Sequence, residues 1–200
     1  MNIEKAIYHL NDHIVVLGYN DRVERIVKEL AGEGLQGEKE KVLIVSEIDH
    51  CPVEEAQHVY FLQADPMKVE TLARLQLEKA KVVLVVADSS LASADIQIGS
   101  IDAQTVLSVI TLQRYFAHYL SYAKKHPRVI VECMEENAVE HLKNAGCDEI
   151  VMVGSTSAAL LAASVINPGI TKFFGEVFST LHGHEFYITR APSSLFNLSF

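Results

Sequence analysis

Short apolar runs alternate with helical stripes along this chain. His13–Leu17 (HIVVL), Val42–Ser46 (VLIVS), His58–Leu62 (HVYFL), Lys81–Val86 (KVVLVV), Arg128–Cys133 (RVIVEC) and Glu149–Val153 (EIVMV) are such runs. Most are continuously apolar rather than alternating, as strands are when both faces of a parallel sheet are covered. Between them, Val23, Ile26, Val27 and Leu30 fall at i, i+3, i+4 and i+7, one face of a helix. Val69, Leu72 and Leu75 repeat the pattern, and Asp102 to Ala123 carries Val106, Val109, Ile110, Phe116 and Leu120. Val139 and Leu142 mark a short helix that Gly146 ends. Six strands joined by helical crossovers predict an α/β fold with a Rossmann-like, doubly wound, parallel six-stranded sheet.

The pattern changes after the sixth run. Thr156–Ile166 is a helix rich in Ala and Leu, "NPG" at 167–169 breaks it, and Thr171–Leu181 reads as a second helix with Phe173, Phe174, Val177 and Phe178. His184–Arg190 has the look of a strand that opens something new. The expected organisation is a connector over 1–11, the sheet lobe over 12–154, a helix–turn–helix crossover over 155–182, and the start of a further, truncated subdomain over 183–200.

Composition narrows the partners. The net charge of -9 argues against nucleic acid, which asks for a basic face. Acidic clusters suit divalent cations, although most such carboxylates simply face solvent. No apolar stretch is long enough for a membrane span, and the opening "MNIEKAIYHLND" is not a signal peptide, so a soluble, cytoplasmic chain is expected. Cys51, Cys133 and Cys147 lie far apart with no CxxC spacing; they fit a reducing compartment, and Cys133 reads as core.

Candidate chemistry centres on the first strand–helix turn. A dinucleotide fingerprint, G-x-G-x-x-G, keeps only its first glycine here: Gly18 is followed by Asn20 and Val23 at the other two places. Gly18 permits a tight turn near a ligand, Asn20 suits an N-cap, and Asp21 and Arg22 bring opposite charges to the helix start. Glu47 follows the second run, where an acid meets ribose hydroxyls in this fold, with Ile48 beside it. Asp65 follows the third run, Ala87 and Asp88 follow the fourth, and Glu132 falls at the fifth. These acids lie toward the carboxyl edge of the sheet and suit either ribose and base contacts or a cation such as calcium. Enzyme motifs are missing: there is no G-x-S-x-G, HExxH or P-loop lysine. His182 and His184 could ligate a metal, but two turn histidines are more often inert.

The chain from about His13 to Phe200 resembles the RCK (regulator of potassium conductance, TrkA-N) family. The carriers are "HIVVLGYNDRVERIVKEL", "FLQADPMKVETLARLQLEKAKVVLVVAD", "PRVIVECMEENAVEHLKNAGCDEIV" and "ALLAASVINPGITKFFGEVF". The resemblance implies a regulatory domain on the cytoplasmic side of the membrane. It would form a homodimer through about 156–181, with Leu160, Leu161, Val165, Phe173, Phe174 and Val177 at the contact. Such dimers assemble into an octameric ring below a potassium channel pore. The implied ligands are calcium and nucleotides such as NAD, ADP, ATP or AMP. The implied nucleotide site comprises Gly18, Tyr19, Asn20, Asp21, Arg22, Glu47, Ile48, Asp65, Ala87 and Asp88. The implied metal ligand is Glu132, with Met134 where a second carboxylate would be useful. Alternatives are a soluble subunit of a potassium uptake transporter, or an NAD-dependent oxidoreductase fragment. The segment 89–104 reads as a long loop that could cover the cleft.

Overall fold

The computed structural model describes residues 7, 9–30, 40–53, 58–88, 98–121 and 126–178. Six strands form one parallel sheet: β1 His13–Leu17, β2 Val42–Ser46, β3 Val59–Gln63, β4 Ala80–Val85, β5 Arg128–Cys133 and β6 Glu149–Met152. Their order is β3-β2-β1-β4-β5-β6, the doubly wound arrangement, so the chain reverses its direction of travel between β1 and β4. Register is tight at that point: Val15 pairs with Leu43 on one side and Val83 on the other. The helices are α1 Val23–Leu30, α2 Val69–Leu72, α3 Ile98–Tyr119, α4 Val139–Ala145, α5 Val153–Ile166 and α6 Ile170–Phe178.

The unbroken apolar strands follow from burial on both faces. Along β1, Val15 and Leu17 point to a large core completed by Leu72 of α2, Val109, Leu112 and Phe116 of α3, and Leu142 of α4. Ile14 and Val16 point the other way, to a smaller core with Val23 and Val27 of α1 and Val53. Each fully buried Val or Leu contributes about 1.5–3 kcal/mol, so two covered faces stabilise the central strands far more than alternation would. The edge strand β6 is only half-buried, with Val151 exposed.

Two expectations shift. The segment 89–104 is not a single loop, because α3 begins at Ile98; residues 89–97 lie outside the described residues. The helix over 102–123 ends at Tyr119. The expected second crossover helix is described only to Phe178, and the expected subdomain at 183–200, His182 and His184 lie outside the described residues.

His13 enters β1 fully buried, its Nε2 3.0 Å from the carbonyl of Leu75 and its Nδ1 without a hydrogen-bond partner. Desolvation lowers its pKa below the usual 6.5, against the opposing pull of the Leu75 carbonyl and Glu78. The folded state therefore holds a neutral imidazole that the unfolded chain protonates more readily. Its stabilisation is complete above pH 6.5 and is lost as pH falls through that unfolded value toward the lowered folded one. His13→Gln, which keeps a donor for Leu75, should cost about 1 kcal/mol at neutral pH. That deficit should shrink in urea unfolding curves as pH is lowered below 6.5; a pH-independent deficit contradicts the assignment.

Candidate functional site

The site lies where the sheet reverses, at the carboxyl ends of β1, β4 and β5. Gly18 leaves β1 with φ +92°, and its N–H donates to the Val45 carbonyl at 2.9 Å. A Cβ there would lie 3.0 Å from the Val86 carbonyl oxygen and 3.3 Å from the Asp88 side chain. The glycine is thus required by both conformation and space. Asn20 follows, buried, and its Oδ1 accepts the Arg22 N–H at 3.0 Å, the expected N-cap of α1.

The Asn20 side chain does more than cap. Its Nδ2 donates to the Ala87 carbonyl at 2.9 Å and to Glu132 Oε2 at 2.7 Å. Glu132, buried on β5, also accepts the Ala87 N–H on Oε2 at 2.9 Å and Arg22 Nε on Oε1 at 2.7 Å. One carboxylate therefore ties the end of β4, the β1–α1 turn and β5 together across the point of reversal. The hydrogen bond that Arg22 donates to Glu132, with that carboxylate's charge, raises the Arg22 pKa against the effect of burial. Arg22 is half-exposed; its Nη1 lies 3.5 Å from the exposed Asp21 and its Nη2 3.7 Å from Met134 Sδ.

A second buried carboxylate, Asp102 of α3, holds the turn after β5. It accepts the N–H groups of Met134 at 3.0 Å and Glu135 at 2.8 Å. Cys133 lies beneath it, its thiol donating to the Glu135 carbonyl at 3.1 Å. Burial, with the nearby Asp102 charge, pushes that thiol's pKa up, which keeps it a core group rather than a nucleophile.

The other expected residues spread along the edge. Tyr19 is half-buried against the smaller core. Glu47 is exposed and Ile48 half-buried after β2, with the Ile48 N–H 3.4 Å from Ser46 Oγ. Asp65 forms a turn, accepting the Met67 N–H at 2.9 Å, and pairs with Lys68. A narrow, shallow cleft is lined by Gly18, Asp88, Pro66, Met67 and Thr105. Thus Gly18, Asn20, Arg22, Ala87 and Glu132 converge, Asp88 stands beside Gly18, and Glu47 and Asp65 do not join them. For a metal the donor set is poor. Among the described residues no three His, Cys, Asp or Glu side chains converge on one point, and Glu132 is already met by three protein donors. Sequence reasoning missed Asp102, whose partners lie more than thirty residues away and leave no local pattern.

A family model described as the calcium-activated potassium channel slowpoke-like RCK domain matches residues 9–132, well over half of the chain. The chain belongs to this RCK family. Its relatives include the calcium-gated potassium channel TvoK of Thermoplasma volcanium, 26% identical over 82% of this chain and 43% of that protein. This RCK chain spans about two fifths of the length of the curated relatives it matches. Among solved structures it is similar to the human SLO3 gating ring, with TM-score 0.54, 14% identity, and 91% of this chain covering 31% of that one. GsuK bound to ADP is similar with TM-score 0.51 and 16% identity, over 72% of this chain and 32% of that one. These structural likenesses carry the fold. Among the described residues no helix is long and apolar enough to cross a membrane.

Arg22→Ala should cost about 2–3 kcal/mol, below the roughly 3–5 kcal/mol of an orphaned buried charge, because Asn20 and Ala87 still donate to Glu132. Arg22→Ala and Glu132→Gln combined should be less destabilising than the sum of the two single changes in urea unfolding. Strict additivity would mean the ion pair carries no stability.

Proposed function

We propose that this RCK domain is a ligand-sensing gating-ring domain of a potassium channel, a regulator rather than an enzyme, that couples nucleotide binding to the pore. The observation that carries the reading is the glycine turn at the point of sheet reversal. There Gly18 lies against Asp88 and Asn20 bonds Ala87, with Tyr19, Asp21 and Arg22 in the same turn, at the carboxyl edge where open parallel sheets bind ligands. GsuK, similar in fold, has solved structures bound to ADP and bound to NAD, which supports a nucleotide as the ligand class. Arg22 Nη1 and Nη2 are left with only long contacts to Asp21 and Met134, so both can turn to an anion. Glu47 and Ile48 after β2 and Asp65 after β3 stand farther along the edge, where a ribose bound at the turn would extend. ADP, NAD, ATP and AMP at millimolar concentration should raise the melting temperature for at least one of the four, because binding to the native state must stabilise it. No shift with any of them rejects nucleotide sensing.

The domain acts as a homodimer through about 156–181, within an octameric ring beneath the pore, on the cytoplasmic side of the membrane. The helical pair supports this. Neither α5 nor α6 buries a single residue, and Leu161, Val165, Ile166, Phe173 and Phe178 are exposed on them. Phe174 stacks on Phe178 at 5.4 Å and contacts Phe173 edge-on at 5.5 Å. Between this pair and α1 runs an open groove lined by Ile26, Leu30, Leu160, Phe174 and Phe178. Apolar faces of this extent in a lone chain mark a contact. A ligand that favours one arrangement of the paired lobes then shifts the population of pore states. Light scattering should find a dimer for the parent chain and a monomer for Phe173→Ala combined with Phe174→Ala; a variant that stays dimeric contradicts this surface.

A further inference from the structure

The resemblance to calcium-gated relatives implies a cation at Glu132, and the geometry there disagrees. A carboxylate offers about four lone-pair directions, and three are met by Arg22 Nε, Asn20 Nδ2 and the Ala87 N–H. Calcium needs six to eight oxygen ligands at roughly 2.3–2.6 Å. Around Glu132 stand a guanidinium and an amide nitrogen, which are no ligands, the nearby oxygens of Ala87 and Asn20 already accept the Asn20 amide and the Arg22 N–H, and the Met134 thioether beside Arg22 is a soft ligand. The nearby buried carboxylate, Asp102, is committed to the Met134 and Glu135 N–H groups.

We propose that the Arg22 guanidinium is the resident cation of this sheet edge, taking the place at Glu132 that a divalent ion would need. A positive group 2.7 Å from Glu132 Oε1 both neutralises the buried carboxylate and repels a second cation. The tether is part of the chain, so its local concentration cannot fall and the edge stays closed whatever the free calcium. The β1–α1 turn is then fixed by a permanent ion pair. The inference concerns the cation alone and holds whether or not a nucleotide binds.

The Arg22 Nε–H signal in the 15N spectrum, assigned by its loss in Arg22→Lys, tests this on the unaltered protein. It should be protected from solvent exchange and unmoved by millimolar calcium chloride. A calcium-dependent shift or loss of that signal overturns the proposal. Arg22→Ser combined with Met134→Glu removes the guanidinium and supplies a second carboxylate. Calcium should raise the melting temperature of this folded variant, and adding Glu132→Gln should abolish the rise. A folded double variant that ignores calcium overturns it as well. Calcium heat in the parent chain that survives Glu132→Gln supports it, since the ion then binds away from Glu132.

Discussion

A single buried carboxylate holds the functional edge of this domain together. Glu132 sits in the fifth strand and takes hydrogen bonds from the end of the fourth and from both sides of the turn after the first. Charge-assisted hydrogen bonds are roughly twice as strong as neutral ones, and in a dry site each polarises the next. The turn therefore cannot move without breaking them together. Asn20 is the pivot, because one side chain caps α1 with its oxygen and reaches two other strands with its nitrogen. A glycine at that position, as the dinucleotide fingerprint prescribes, would leave both Ala87 and Glu132 short of a partner. The departure from the fingerprint is thus a substitution of one structural solution for another.

The same geometry explains how a rigid edge coexists with an unfinished surface. The sheet is packed on both faces over β1, β2 and β4, where strand residues alternate between two cores. That rigidity stops at β6. The two helices that follow bury nothing of their own and turn large apolar side chains outward. A lone chain gains little from such a hairpin, whereas a paired one buries aromatic rings that are each worth several kcal/mol. A stiff sheet edge joined to a helical pair with exposed apolar side chains suits the passing of a small local change to a larger assembly.

Much of the fold was legible from pattern. The runs at 13–17 and 42–46 name strands to the residue, because burial along their whole length favours apolar side chains at nearly every position, and 128–133 does so despite an exposed Arg128 and the charged Glu132. Boundaries drifted where burial was partial: β3 and β4 lie one residue from their expected places. The start of α3 went unread because its opening turn, rich in Gly, Ser and Ile, lacks a sharp stripe.

The sequence by itself determined the strand count, the parallel class, the glycine turn and the apolar helix pair after the sheet, since each rests on neighbours within a few positions. Only the tertiary structure decided what Glu132 is for. Read along the chain it was one acid among several at a sheet edge, open to a metal. Its partners lie 110 and 112 residues away on the first turn and 45 away after β4, brought together by the crossover that places β4 between β1 and β5. No local rule reports a hydrogen bond across that distance, because the sheet order that creates it is set by the packing of the whole.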